Sequence, residues 1–298
     1  MSNNLRASVF ALLAAFFWGS TFVAQDLAAE SVGPFAYTAS RSWVGALLLL
    51  AISLILRKKT AIPSEHKKAY RRDLILGGLA CGVAMTIAAN LQQAGISNNT
   101  DPGKAGFITS LYVVLVPIFG LFCRRRASLT VWISTAIALA GLYLLCVTEA
   151  LTIHISDLLI LLCAVFFAVQ ILIIDRLPPI HGMHLCCMQL FVVAVTSTVL
   201  ALVFETTALN DLFHAWGPIL YSAVFSSALA YTLQIMAQKD SNPTVITLLL
   251  CLESVFAVIC DLVILGNIPT WREGIGCLLM FTAVTLANLP MPHRKKSG

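Results

Sequence analysis

Residues 14–27 read A-A-F-F-W-G-S-T-F-V-A-Q-D-L, and residues 164–176 read A-V-F-F-A-V-Q-I-L-I-I-D-R. Both stretches begin with small and aromatic residues, contain a glutamine and reach an aspartate near their end. Asp26 in the first stretch corresponds to Asp175 in the second, 149 positions later. The sequence therefore carries a weak repeat of itself, and such a repeat bears on the whole fold.

Two further matches keep the order of the first one. Leu91-Gln92 corresponds to Leu233-Gln234, and Asp101-Pro102 corresponds to Asn242-Pro243 after a one-residue gap. Both matches fall at equivalent places in the two halves of the chain. A chance similarity between apolar segments is the alternative interpretation of these matches.

The composition of the chain indicates that it lies in a membrane. Hydrophobic residues make up 59% of the 298 residues and charged residues 11%, whereas an average soluble domain has roughly 25% charged residues. The mean hydropathy is +0.88. A soluble protein of this size could not bury so much apolar surface, but surface that faces lipid needs no burial. The net charge of +5 comes from basic clusters between apolar runs, which indicates orientation in a membrane rather than nucleic-acid binding.

Apolar runs long enough to cross a bilayer recur ten times. The hydrocarbon core needs about 20 mostly apolar residues in a helix. The predicted spans are Ala7 to Gln25, Pro34 to Leu56, Leu74 to Ile96, Pro102 to Cys123, Leu129 to Val147, Leu158 to Ile174, Leu185 to Phe204, Trp216 to Gln238, Pro243 to Leu265, and Trp271 to Leu289. The sequence therefore predicts an all-α membrane protein with ten transmembrane helices.

The basic residues predict the orientation of these spans. With the N-terminus in the cytoplasm, sixteen of the nineteen Lys and Arg residues lie on the cytoplasmic side. Lys104 and Arg272 then lie outside, and Arg41 lies within span two. This bias predicts a multi-pass protein of the cytoplasmic (inner) membrane with both termini in the cytoplasm.

The repeat and the spans together predict how the two halves are arranged. Residues 1–150 contain spans one to five, and residues 151–298 contain spans six to ten. Because each half has an odd number of spans, the second half enters the membrane upside down relative to the first. An inverted five-plus-five repeat is typical of carriers that work by alternating access around a site near the bilayer midplane.

Four stretches give the chain a resemblance to a known family. They are F-F-W-G-S-T-F-V at Phe16 to Val23, S-R-S-W-V-G-A-L-L-L-L at Ser40 to Leu50, G-K-A-G-F-I-T-S-L-Y-V-V-L-V-P at Gly103 to Pro117, and Y-T-L-Q-I-M-A-Q-K at Tyr231 to Lys239 followed by L-E-S-V-F-A at Leu252 to Ala257. With these residues the sequence resembles the EamA-type transporters of the drug/metabolite transporter superfamily over nearly its whole length.

The resemblance implies a bundle of ten helices around a cavity lined mainly by spans one, three, four, six, eight and nine. Members of this family export or exchange amino acids, other metabolites and drugs. The sequence departs from the family pattern at Gly266-Asn267, where many members have Gly-Glu, and at Ser254, where a proline often follows the glutamate. None of the four stretches identifies a substrate.

Glu253 is the foremost candidate for a functional residue. It lies about ten residues into span nine, near the middle of the membrane, where an ionised carboxylate without a partner is unfavourable. We expect Glu253 either to bind a cationic group of a substrate or to take up a coupling proton. A carboxyl group that fastens two helices by a hydrogen bond is the alternative interpretation.

Other polar and aromatic side chains within the spans are candidates for the substrate site, because polar groups in a bilayer are costly and mark pathways. The predicted substrate-binding residues are Trp18, Asn90, Gln92, Thr109, Tyr112, Gln170, Tyr231, Gln234 and Glu253. Gln92 and Gln234 occupy matching repeat positions on opposite sides of the midplane, so they are placed to act at two gates. Amide hydrogen bonds that merely fasten the helices explain both residues as well.

Three features of the spans have more than one interpretation. Arg41 lies about two turns inside span two, and a structural role with its stem extended towards the headgroups is favoured over substrate binding. Asp261 lies two turns beyond Glu253 towards the outer face, where it is placed to face an outer vestibule, and its role is left open. Pro117 predicts a kink in span four, which acts as a hinge or is a packing feature.

The functional class predicted from these observations is a secondary carrier of small metabolites. No G-x-x-x-x-G-K-[ST] run is present for ATP hydrolysis, and the sequence shows no catalytic pair, cofactor motif or metal-ligand spacing. A channel and an intramembrane enzyme are the alternatives. The expected partners are a small-molecule substrate, membrane lipid and, if coupling requires it, a proton.

Overall fold

The computed structural model describes residues 3–56, 67–98, 102–122, 128–146, 154–265 and 268–288. Every regular element within these ranges is a helix. The basic clusters at 57–59, 124–126 and 294–296 and the Gly266-Asn267 pair lie outside the described residues, and so do the side chains of Lys104 and Asp261.

The helices of the first half follow the predicted spans closely. They are α1 (Asn3–Ala29), α2 (Pro34–Ile55), α3 (Lys67–Ser97), α4 (Pro102–Ser110), α5 (Tyr112–Phe122) and α6 (Leu129–Cys146). Helices α4 and α5 together occupy the predicted fourth span.

The second part of the chain contains more interrupted helices than the first. Its helices are α7 (Ile155–Arg176), α8 (Gly182–Phe204), the short α9 (Leu209–His214), α10 (Trp216–Tyr221), a π-helix (Ser222–Ala230), α11 (Tyr231–Asp240), α12 (Pro243–Leu250), α13 (Glu253–Leu265) and α14 (Trp271–Asn288). The eighth span is thus made of α10, the π-helix and α11, and the ninth span is made of α12 and α13.

Eight helical segments within the described ranges are long and apolar enough to cross a membrane. The other two predicted spans correspond to α6 and α14, of 18 residues each, and these two helices pack closely against one another. Large apolar side chains such as Phe122 and Leu202 are at least 80% exposed. Lipid is the solvent that stabilises such a surface.

Small residues allow the helices to approach closely. A Cβ atom on Gly82 would lie 2.5 Å from the Cβ atom of Val192, and one on Gly78 would collide with Met188. Gly78 and Gly82, four residues apart on α3, therefore meet α8, as expected for helix contacts in lipid, where packing rather than water exclusion drives association.

Spans four and nine are both interrupted near their middle. The chain breaks at Leu111 between α4 and α5 and at Cys251-Leu252 between α12 and α13. At each break one residue makes a tighter bond to the carbonyl three residues earlier: Leu111 N donates to Ile108 O and Leu252 N to Leu249 O, both at 3.2 Å. The match of Pro102 with Pro243 places these two breaks at corresponding positions.

Pro117 lies inside a helix. Helix α5 continues through Pro117, and the break in the predicted fourth span lies six residues earlier, at Leu111. A proline ring clashes with the carbonyl four residues before it, which is that of Val113 in the first turn of α5. The kink at Pro117 stays a prediction.

Candidate functional site

A cavity lies between helices of the first and second parts of the chain. Polar side chains, aromatic rings, one arginine and one glutamate face it. The lining residues are Trp18, Thr21, Phe22, Gln25, Arg41, Gln92, Thr109, Tyr112, Phe167, Ile171, Ser226, Tyr231, Gln234, Leu250 and Glu253.

The break between α12 and α13 positions the carboxylate of this cavity. Glu253 is the first residue of α13 and is 4% exposed. The Ser110 hydroxyl, at the end of α4, donates a hydrogen bond of 3.2 Å to the Glu253 Oε1 atom. The two interrupted spans therefore meet at this carboxylate.

Gly19 brings α1 directly against the same carboxylate-bearing segment. A Cβ atom at this position would collide with the Glu253 carbonyl oxygen and lie 2.9 Å from the Ala257 backbone nitrogen. Because glycine has no side chain, α1 can pack on the first turn of α13. Trp18 lies one residue away on α1, and its ring packs edge-on against Tyr231 with 5.0 Å between centroids.

Four polar atoms of the lining residues are buried without a hydrogen-bond partner among the described residues. They are Trp18 Nε1, Gln25 Oε1, Tyr112 Oη and Gln234 Oε1. Buried polar groups that lack a partner are costly. A polar molecule in the cavity would supply partners to one donor nitrogen, two amide oxygens and one hydroxyl.

Amide side chains connect the cavity to the helices behind it. Gln92 Nε2 donates to Thr109 Oγ1 at 3.0 Å, which links α3 to α4. Gln234 Nε2 donates to Gln170 Oε1 at 3.4 Å, and Gln170 Nε2 donates to Gln189 Oε1 at 3.2 Å. These hydrogen bonds fix the side chains of Gln92 and Gln234, the two glutamines that the sequence placed at two gates. Both line the same cavity.

Arg41 also lines this cavity, although a position near the headgroups was expected. The residue is 3% exposed, and its guanidinium lies 5.2 Å from the centroid of the Tyr37 ring. The expectation that Arg41 extends to the lipid surface is therefore wrong. The reason is the close packing of α2 on the π-helix, where a Cβ atom on Gly45 would lie 3.0 Å from the Ser227 Cβ atom.

The structure brings most of the predicted substrate-binding residues together. The ones that line the cavity are Trp18, Gln92, Thr109, Tyr112, Tyr231, Gln234 and Glu253. Gln170 lies behind the cavity wall and supports Gln234. Asn90 faces α8 instead, where its amide nitrogen donates to Ser197 Oγ at 2.8 Å.

Sequence reasoning missed several residues of the wall. Thr21, Phe22, Gln25, Ile171, Ser226 and Leu250 line the cavity as well. The sequence matches could have indicated two of these residues. Phe22 and Ile171 are separated by the same 149 positions as Asp26 and Asp175, so they occupy matching positions. No comparable signal exists for Ser226, whose exposure to the cavity depends on the π-helix.

Both members of five repeat-related pairs face the one cavity. Extending the sequence matches along the spans gives the pairs Trp18 and Phe167, Phe22 and Ile171, Gln92 and Gln234, Thr109 and Leu250, and Tyr112 and Glu253. Positions that the sequence matches relate to one another thus line the same cavity, with different side chains in four of the five pairs.

The sequence profile of the EamA-like transporter family matches residues 5–147 and residues 154–289, one range in each half. The resemblance noted in the sequence is thereby confirmed.

Relatives along the whole chain carry the names of transporters. An uncharacterized transporter of Archaeoglobus fulgidus is 29% identical over 294 residues, which are 96% of this chain and 87% of the relative. The uncharacterized transporter YoaV of Bacillus subtilis is 22% identical over 285 residues, 93% of this chain and 95% of the relative.

A solved structure described as a crystal structure of a protein has the same fold. It superposes with a TM-score of 0.76 and covers 95% of this chain and 96% of its own, at 17% sequence identity. Since the family profile covers both halves and the described helices are long and apolar, the chain is a multi-pass membrane protein that belongs to the EamA-like transporter family.

Proposed function

We propose that this protein is a secondary carrier of small metabolites, such as amino acids, amines or related compounds, which it exports or exchanges across the cytoplasmic membrane by alternating access. The observation that carries this proposal is the cavity in which the broken spans four and nine meet at Ser110 and Glu253. Interrupted helices around a buried polar site are a recurrent feature of carriers.

The proposed architecture is an inverted repeat of ten spans, with residues 1–150 and 151–298 as its halves. Helix packing supports this architecture, because the main helix contacts come in pairs. Replacing each span by its counterpart in the other half turns one contact of a pair into the other. The packing of span three on span six corresponds to the packing of span eight on span one. In the same way, the packing of span four on span six corresponds to the packing of span nine on span one. Spans two and seven, and spans five and ten, pack on each other.

The proposed orientation places both termini in the cytoplasm, and an ion pair joins the ends of spans one and eight that this orientation places on the cytoplasmic side. Arg6 Nε and Nη2 donate to the two carboxylate oxygens of Asp240 at 2.8 and 3.0 Å. Next to this pair, Lys239 Nζ donates to the Pro178 carbonyl at 2.8 Å. These contacts join the ends of spans one, six and eight, and alternating access requires that they separate in the other conformation.

The proposed role of Glu253 is to bind a cationic group of the substrate or a coupling proton. Its burial, its position at a helix break and its place in a cavity that contains unpartnered polar atoms support this role. Gln92, Thr109, Tyr112, Tyr231 and Gln234 supply further hydrogen-bonding groups, and Trp18 supplies an aromatic wall.

The test is an untargeted measurement of metabolites inside and outside cells that express the wild type, the E253Q variant or no protein. We expect a defined set of metabolites to redistribute with the wild type and not with E253Q. The matched control is E30Q, because Glu30 is exposed outside the cavity. Redistribution that is the same with E253Q would remove the role of this carboxylate.

A second measurement separates the carrier from its alternatives. In proteoliposomes a carrier shows saturable counterflow of the metabolites identified in cells. Ionic conductance far above carrier rates would instead indicate a channel. Chemical conversion of a lipid or peptide by the purified protein would indicate an enzyme.

A further inference from the structure

We infer that Arg41 is the anion-binding residue of the substrate site, so that the transported metabolite carries a carboxylate or a similar planar anionic group. This inference rests on the proposed carrier function and narrows its substrate class. It selects compounds of the amino-acid type over simple amines.

The first observation is the burial of an unpaired charge. Arg41 is 3% exposed and lines the cavity. Among the described residues, no carboxylate lies within 4.0 Å of its guanidinium; the ion pairs there are Arg6 with Asp240 and Arg72 with Asp73. A charge that is buried without a partner is strongly unfavourable in a protein, and more so within a membrane.

The second observation concerns what the surrounding residues can supply. The Tyr37 ring stabilises the guanidinium by a cation–π contact at 5.2 Å. This contact offsets a part of the cost of burial. The Tyr37 side chain also forms a hydrogen bond with Arg41, which uses one of the five N–H donors of the guanidinium and leaves the other donors for another group. Arginine cannot relieve the cost by losing its proton, because it stays charged at every physiological pH.

The third observation is the position of Arg41 relative to the other groups of the cavity. Tyr231 lies within electrostatic reach of both Arg41 and Glu253, and all three line the same cavity. A guanidinium binds a carboxylate through two parallel hydrogen bonds, while Glu253 suits an ammonium group. A metabolite with both groups would satisfy both charges, whereas an amine alone would bring a second positive charge to Arg41.

The packing around Arg41 holds it in this position. The Tyr37 hydroxyl donates a hydrogen bond of 2.7 Å to Ser222 Oγ at the start of the π-helix. Gly45, one turn after Arg41 on the same face of α2, brings α2 close to Ser227. Ser226 of the π-helix also lines the cavity and offers a hydroxyl to the same anionic group.

The experiment uses the full chain in proteoliposomes that are loaded with one of three mixtures. The first mixture contains the common L-amino acids. The second contains the amines formed from them by loss of the carboxylate, and the third contains the acids formed from them by loss of the amino group. Exchange of each compound is measured by mass spectrometry for the wild type, R41Q and R41K. The control variant is R72Q, since Arg72 has a side chain that is 72% exposed. Unfolding temperatures establish that each variant is folded.

We expect the wild type to exchange carboxylate-bearing compounds and the R41Q variant to lower that exchange at least about tenfold. The R41K variant should give an intermediate rate, because lysine keeps the charge but not the two parallel hydrogen bonds. Amines exchanged as fast as amino acids by the wild type, or R41Q exchange within about twofold of wild type, would overturn the inference and leave the carrier function intact. An absence of exchange with all three mixtures would overturn it as well, while the metabolite measurement in cells decides the carrier function separately.

Discussion

The Ser110 hydroxyl donates a hydrogen bond of 3.2 Å to the Glu253 carboxylate, and this contact joins the two interrupted spans of the protein. Ser110 ends α4 and Glu253 begins α13, so each lies at a helix break. The breaks occupy corresponding positions in the two halves. The contact therefore connects the two interrupted spans at Glu253, which lines the cavity.

Replacing Ser110 with alanine tests the importance of this contact. Loss of one hydrogen bond costs about 1 kcal/mol, so the S110A variant should exchange substrate about fivefold more slowly in counterflow. The control is S254A, because the buried Ser254 hydroxyl has no partner among the described residues. Equal rates for S110A and the wild type would show that the contact does not position Glu253.

A methyl group on Gly19 should disturb the contact between α1 and α13. The added Cβ atom of G19A would collide with the Glu253 carbonyl, which is backbone and cannot turn away. Overpacking of this kind costs about 1 to 3 kcal/mol, so the unfolding temperature in detergent should fall. In G217A the same methyl group meets no atom within 4 Å. A G19A unfolding temperature no lower than that of G217A would contradict the described packing.

The ion pair between Arg6 and Asp240 should show energetic coupling. The side chains are 47% and 19% exposed, so solvent weakens the pair, and a coupling energy of about 0.2 to 1 kcal/mol is expected. A double-mutant cycle with R6A, D240A and the double variant, read from thermal or denaturant unfolding, measures this coupling. Strictly additive effects would show that the two residues act independently.

The buried hydrogen bond between Tyr37 and Ser222 should stabilise the protein and support Arg41. The Y37F variant keeps the ring beneath the guanidinium but removes the hydrogen bonds of the Tyr37 hydroxyl with Ser222 and with Arg41, which should lower stability by at least about 1 kcal/mol. The matched control is Y143F, at a residue that is 39% exposed. The Y37F and S222A changes should not add in the double variant, because both remove the same bond. Additive losses would mean that the hydroxyls act separately.

The sequence predicted the spans well and the residues of the site in part. The predicted fifth and tenth spans, from Leu129 and from Trp271, begin where α6 and α14 begin, because runs of apolar residues are a local property of the chain. Glu253 was placed inside a span by the same reasoning. The double break at Leu111 and Leu252 was not predicted, since no proline or glycine stands at either position.

The direction in which side chains point could not be predicted for Arg41 or Asn90. In water, a polar face and an apolar face tell which side of a helix is buried. In lipid, the outer face is apolar as well, so this pattern loses most of its information. Arg41 faces the cavity and Asn90 faces α8 because of how α2 packs on the π-helix and how α3 packs on α8.

By itself, the sequence determined that the chain lies in a membrane, where its apolar helices run and which family it resembles. Each of these depends on composition or on the order of residues. The tertiary structure alone decided that two broken helices meet at Glu253 and that Arg41 shares their cavity. The reason is that residues 41, 110 and 253 are far apart in the chain, and their proximity follows only from which helix faces pack together.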